Sequence, residues 1–124
     1  MNWNDFLEYK KILLKGEQNE LIAFFEEKRE LFLPASILVD KARSIQISES
    51  NAFNLHDVEK ILLEAISIDE LCISAYLELG CFYYAVLGDN DKSKDIFQKG
   101  IQRLNHLQKE ILMEYQKVLT DDSL

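Results

Sequence analysis

The stretch from residue 58 to residue 100 constrains the fold more than any other part of the chain. Its apolar residues follow helical spacing, short turns interrupt them, and residues with little or no side chain stand at Ala65, Gly80 and Gly100. A helix with a single apolar stripe is unstable alone in water and therefore packs against another helix. We predict a helix–turn–helix–turn–helix segment whose backbones cross closely at these small residues. A Gly80→Leu change should then disrupt the core.

The composition is that of one compact, mostly helical domain. The chain has 124 residues, of which 48% are hydrophobic, and it contains one proline and four glycines. Its formal charge of -8 argues against binding to nucleic acid or to an anionic membrane, because phosphate contacts need clustered Lys and Arg. The same charge would attract a basic partner.

Neither a secretion signal nor a membrane span is expected. The first residues, Met1 to Asp5, lack the basic and apolar runs of a signal peptide, and no stretch approaches about eighteen consecutive apolar residues. We therefore expect a cytoplasmic protein. Cys72 and Cys81 are expected on one helix, about 13 Å apart at about 1.5 Å per residue, and so as reduced, buried thiols.

Two helices are predicted before residue 33. Asp5 and Glu8 have the spacing of a capping box, so the first helix should begin at Asp5 and run to Lys15, before Gly16. A second helix should begin near Gln18. The mixed charges of residues 26–30 should form its solvated face.

The most apolar run, residues 31–39, contains the only proline, Pro34. Pro34 disfavours helical geometry just before it and suits the first turn of a new helix, so a buried corner between two helices is predicted. An exposed docking strip is the alternative. The polar residues after position 45 predict a frayed helix end and a loop, and Asn54 should cap the next helix.

Two interpretations of the C-terminal part stay open. Asn105 and Gln108 have the residue types of a capping box, which favours a separate capping helix over residues 107–119. The alternative is one unbroken helix from Asp91 to Leu119, whose apolar spacing is also acceptable. Residues 120–124 are expected to form a frayed tail. The sequence leaves open whether the molecule forms a homodimer through its C-terminal helix.

A repeat motif lies in residues 76–83. Tyr76, Leu79, Gly80 and Tyr83 fit the pattern W-x2-L-G-x2-Y with Tyr in place of Trp, and Ala65 stands where the pattern has its packing alanine. With one extra residue in the intervening turn, the small, aromatic and small positions of the following helix are occupied by Ser93, Phe97 and Gly100.

On these residues, the segment 58–104 resembles a tetratricopeptide repeat (TPR), a family of stacked helical pairs. The resemblance implies an all-α fold in which antiparallel helical hairpins stack as a short TPR-like α-solenoid. Units of 34 residues then begin near Asp5, Val39 and Ile73, and only the last carries the motif. The expected pairs in this single domain, 1–124, are residues 5–33, 34–68 and 71–104, followed by the capping helix at residues 107–119.

In this family the first helix of each pair lines a concave groove that binds peptides or folded partners. By register, the resemblance places in that groove Ser74, Leu77, Glu78, Cys81 and Tyr84 of the last unit and Asp40, Arg43 and Ser44 of the middle unit. Members that clamp acidic C-terminal peptides use Lys, Arg and Asn there. Such a clamp is therefore disfavoured.

No catalytic, cofactor or metal site is predicted. His56 and His106 have no Cys, Asp or Glu at metal-ligand spacing. Residues 89–91 begin like a calcium loop, but the required glycine and bidentate glutamate are missing, so Asn90 or Asp91 should instead cap the next helix. Without a phosphate loop, nucleophile elbow or Cys–His pair, we expect neither an enzyme nor a cofactor.

Three functions are considered. The first is a small acidic inhibitor that neutralises a basic protein, as a bacterial toxin-immunity protein does, by filling a cationic cleft. Its candidate contacts are Glu78, Tyr84, Asp89, Asp91 and Asp95. The second is a secretion chaperone or scaffold adaptor that binds an extended apolar segment through Leu77, Tyr84 and Phe53. The third, a hydrolase, would need an acid–base pair that we do not find.

Overall fold

The computed structural model describes residues 1–29, 31–48 and 52–122, and all regular structure in those ranges is helical. The protein is therefore all-α, as predicted. The helices of the described ranges are α1 Trp3–Lys15, α2 Gln18–Glu27, α3 Ala35–Ile47, α4 Leu55–Ile68, α5 Ile73–Ala85 and α6 Asn90–Asp122. Each helix packs against the next along the chain, and α5 also contacts α3, so the helices stack as in a solenoid.

The first helix begins two residues earlier than predicted. Asn2 is the N-cap of α1, and its side chain accepts a hydrogen bond from the backbone N–H of Asp5, whose carboxylate accepts one from Asn2 in return. The predicted Asp5–Glu8 capping box is wrong, because Asp5 occupies the third helical position. Gly16 ends α1 with a φ of 70°, a conformation that glycine adopts without strain. The predicted start of α2 at Gln18 is confirmed.

Two later helix starts also depend on side-chain caps. Asn54 caps α4, as predicted, in a reciprocal box with Asp57. At α6 the cap is Asp89, whose Oδ1 accepts a hydrogen bond of 3.0 Å from the backbone N–H of Lys92. The prediction that Asn90 or Asp91 caps this helix is wrong, since α6 already begins at Asn90.

The helices α5 and α6 cross closely, as predicted from the small residues. A Cβ atom added at Gly80 would overlap the ring of Phe97, and one added at Gly100 would lie 2.9 Å from Tyr76 Cβ. Ser93 donates a buried hydrogen bond of 2.8 Å to the carbonyl oxygen of Gly80. Because Gly80 meets Phe97 and Tyr76 meets Gly100, the two helices run antiparallel. Ala65 of α4, the third small residue, is fully buried, as expected of a packing position.

The core extends through all of the stacked helices. It is formed by buried aliphatic and aromatic side chains, among them Tyr9, Phe25, Leu38, Val58, Leu62, Leu79 and Phe82. The predicted corner at Pro34 is confirmed, because Pro34 precedes α3 directly and Leu33 is buried. Phe32, Pro34 and Ser36 are exposed, Phe32 to 67%, so part of the alternative docking strip is solvent-accessible.

The charged end of α2 is less solvated than predicted. Glu26 accepts a hydrogen bond of 2.9 Å from the backbone N–H of Ala52, and Arg29 donates one of 3.0 Å to the carbonyl oxygen of Ala52. Both side chains therefore hold the segment that leads to α4. The predicted loop begins after Ile47, but residues 49–51, like residue 30 of the charged run, lie outside the described residues.

The last helix is unbroken, so the separate capping helix at 107–119 is wrong and its alternative is right. The 33 residues of α6 rise about 50 Å. Asn105 lies inside the helix, because nothing in the sequence between Gly100 and the tail forces the backbone to leave helical geometry. The expected frayed tail is helical as far as Asp122, and residues 123–124 lie outside the described residues.

The cysteines differ from the expectation. Cys72 is the residue before α5 rather than part of it, and it is half-buried, whereas Cys81 on α5 is exposed. Both are free thiols. In the ranges that the structure describes, no helix has the length and apolar character needed to cross a membrane.

Candidate protein-binding surface

The exposed sides of α3 and α5 form the candidate surface, which we call the first-helix face. On each helix the remaining sides are almost entirely buried, because neighbouring helices surround them. The residues left at the surface follow helical spacing: Ser36, Asp40, Arg43 and Ile47 on α3, and Ser74, Leu77, Cys81 and Tyr84 on α5. Each of these two mostly buried helices thus exposes one narrow strip of residues to solvent.

A series of side-chain hydrogen bonds and ion pairs, which we call the polar ladder, connects the helices of this face. Tyr9 of α1 donates a hydrogen bond to Asp40 Oδ2, and Arg43 pairs with Glu78 of α5 through its Nε atom. Within α3, Arg43 Nη1 lies 3.8 Å from Asp40 Oδ1. The ladder therefore links α1, α3 and α5, and its carboxylates already have cationic or hydroxyl partners.

The electrostatics hold the ladder in one charge state. The hydrogen bond to Glu78 raises the pKa of the Arg43 guanidinium above its usual value, so this side chain remains a cation. Burial, reinforced by the hydrogen bond to Asp40, raises the pKa of Tyr9 well above the usual range. Tyr9 therefore remains a neutral donor at any physiological pH.

The most accessible part of the face is apolar. Leu77 is 55% exposed and Tyr84 65% exposed, and Cys81 lies between them on the same side of α5. Ile47, at the end of α3, is also largely exposed. An apolar strip beside a fixed ion pair can take up apolar side chains of another molecule, and the ion pair can orient them.

The structure brings together some of the predicted contact residues and separates others. Leu77, Glu78 and Tyr84 lie on or beside the first-helix face. Asp89 is engaged as the cap of α6, and Asp95 lies 3.2 Å from Lys99. At about 100° per residue, Asp91 and Asp95 point away from the side of α6 that packs on α5.

Phe53, another predicted contact, has a different environment. Two cations lie over its ring, with Arg29 4.4 Å and Lys41 5.1 Å from the ring centroid. Such contacts are attractive because the ring face is negative. Lys41 is buried, and burial lowers the pKa of its ammonium group, against the opposing charge of Glu64. Phe53 therefore helps to bury a lysine and lies off the first-helix face.

Sequence reasoning missed one residue of the ladder, Tyr9. The TPR resemblance placed Asp40, Arg43 and Ser44 on this face, and Ser44 is instead buried, so its placement is wrong. The N-terminal segment lacks the motif that would have placed Tyr9. The only available signal was an aromatic residue on the apolar side of α1. Its hydroxyl partner lies 31 residues away in sequence and is visible only in three dimensions.

The two histidines lie apart from this surface. His56 is exposed near the start of α4, and His106 lies 3.0 Å from Glu110 on an exposed side of α6. Among the described residues, no three His, Cys, Asp or Glu side chains are grouped so that they could hold a metal ion.

A scan against models of known protein families found no match to this chain. Searches of curated proteins and of solved structures likewise found no significant match.

Proposed function

We propose that this chain is a protein-binding module whose first-helix face takes up an extended apolar segment of another protein, as a TPR-type chaperone or adaptor does. The observation that carries the proposal is the exposure of Leu77 and Tyr84 on a helix whose other sides are core. A leucine and a tyrosine that expose more than half of their surface leave apolar area in water, and docking would remove it.

The tetratricopeptide assignment is part of this proposal, and two contacts favour it. The glycine of the motif, Gly80, meets the aromatic residue of the second helix, Phe97, where the helices cross. Arg43 and Glu78 join the first helices of consecutive pairs across 35 residues, close to the 34-residue unit of the family. A module of this kind binds its partner without catalysing a reaction and needs no cofactor.

A second candidate function is the acidic inhibitor of a basic protein. Its support is the formal charge of -8, which would steer a basic partner such as a toxin domain towards the chain. Its difficulty is that Glu78 is paired with Arg43, Asp89 caps α6 and Asp95 pairs with Lys99. A partner would have to displace these contacts, so we place apolar recognition first.

Affinity capture with variants tests the proposal. The partner retained by the wild-type chain should be lost by Leu77→Ser/Tyr84→Ser and kept by the matched surface control Asp91→Asn/Asp95→Asn. Retention should change little between about 0.05 and 0.5 M salt, because apolar contacts are not screened. Loss of the partner with the aspartate variant and at high salt would instead support the inhibitor.

A further inference from the structure

One side of α6 carries small and apolar residues along its length. Over the first half of the helix this side packs on α5, through Ser93, Phe97 and Gly100. At about 100° per residue the same side continues beyond Arg103. Its residues there are Leu104, Leu107, Ile111, Tyr115 and Val118.

The helix that covers the first half ends before it can cover the second. α5 begins at Ile73, close to where its Tyr76 meets Gly100, and Glu70 in the preceding loop lies 2.9 Å from Arg103. Over residues 104–121 every residue except Leu107 is exposed, and Ile111 reaches 68%. The apolar stripe is therefore part of the core on the first half of α6, whereas the described part of the chain leaves it uncovered on the second half.

We propose that a second copy of this chain covers the stripe, in an antiparallel two-fold dimer centred near Ile111. In a parallel dimer the partner helix would have to occupy the space that α5 already fills beside the first half of α6. An antiparallel partner runs in the same direction as α5 and lies end to end with it. Its own helical pairs then extend beyond the far end of α6, where they do not collide.

The charges fit this arrangement. In the antiparallel dimer the acidic end of α6, with Asp121, approaches Arg103 and the N-terminal end of α5 in the partner, which carries the positive end of a helix dipole. Near the two-fold axis, Glu114 is paired with Lys117 at 3.0 Å, which reduces its repulsion with its symmetry mate. Two copies of the surface are therefore compatible in charge as well as in shape.

The contact area sets the expected strength. Residues 104–122 rise about 28 Å, so a helix pair of this length buries on the order of 1,000 Å² in total, near the lower limit for specific interfaces. We therefore expect a weak dimer that forms at high protein concentration. This inference is independent of the binding of an apolar segment at the first-helix face.

Sedimentation of the full chain at concentrations from about 1 to about 500 μM tests the dimer. The wild type should pass from monomer to dimer, and Ile111→Asp should remain a monomer throughout. The matched control is Met113→Asp, also at an exposed position (52%), on the opposite side of α6. Circular dichroism checks that both variants keep their helix content. A monomeric wild type at every concentration, or equal effects of the two variants, would overturn the proposal.

A disulfide experiment tests the antiparallel geometry. In a background with Cys72→Ser and Cys81→Ser, Ile111→Cys should form a disulfide-linked dimer under mild oxidation because it lies on the stripe near the axis. Leu104→Cys should not, because its symmetry mate would be about 21 Å away at about 1.5 Å rise per residue. Efficient linking of Leu104→Cys, or failure of Ile111→Cys to link faster than the control Met113→Cys, would contradict the antiparallel dimer.

Discussion

At Gly80 a single hydrogen atom in place of a side chain determines how closely α5 and α6 approach. We expect Gly80→Ala to destabilise the protein by about 1–2 kcal/mol, because overlap with the ring of Phe97 outweighs the gain of about 1 kcal/mol in helix propensity. Urea denaturation measures the change, and the neighbouring exposed residue provides the control, Cys81→Ala. In a Phe97→Leu background the cost should shrink. A Gly80→Ala protein as stable as the wild type would refute the close crossing.

Tyr83 makes the stability of the folded protein depend on pH in the alkaline range. Burial, together with the hydrogen bond to Glu59, raises the pKa of Tyr83 from 10.0 to about 12. The unfolded chain loses the phenol proton near pH 10 while the folded one keeps it, so this contribution is complete below pH 10 and is lost as the pH rises to about 12.

The matched variant is Tyr83→Phe. The stability advantage of the wild type over Tyr83→Phe should fall as the pH rises through this window, while contributions from other groups cancel in the difference. Chemical denaturation at several pH values between about 8 and 11.5 measures it. A difference that stays constant with pH would mean that the hydroxyl titrates alike in both states.

The helix ends separate what local sequence can predict from what it cannot. Asn54 was predicted as the cap of a helix and Gly16 as the end of one, because in each case the type of a single residue is enough for the prediction. Asn2 was missed because Asp5 fits a capping box both as the cap and as the third helical residue, and only the backbone decides between them. Asn105 has the type of a cap yet lies within α6, since such signals act only where the chain leaves the helix.

Asp89 provides a test at the start of α6. Asp89→Ala should cost about 1 kcal/mol through loss of the hydrogen bond to the N–H of Lys92, whereas Asp89→Asn should keep most of that stability because asparagine is also a good cap. Thermal or urea denaturation distinguishes the two. If both variants lost the same stability, the carboxylate charge rather than the cap would be responsible.

For the whole molecule, helical periodicity was enough to predict an all-α fold, and the small residues were enough to predict the tight crossing of α5 and α6. The assignment of Leu77, Glu78 and Tyr84 to a binding face stays a prediction. The acidic contacts were harder, because a net charge of -8 is a sum over the chain and does not say which carboxylates are already paired. Glu78, Asp89 and Asp95 prove to be engaged within the chain.

Hydrogen exchange of the captured complex, compared with the free chain at equal concentration, tests the binding face most directly. The account predicts additional slowing in residues 36–47 of α3 and 74–84 of α5, with little change in residues 105–122. Slowing confined to residues 89–95, around the acidic start of α6, would contradict it.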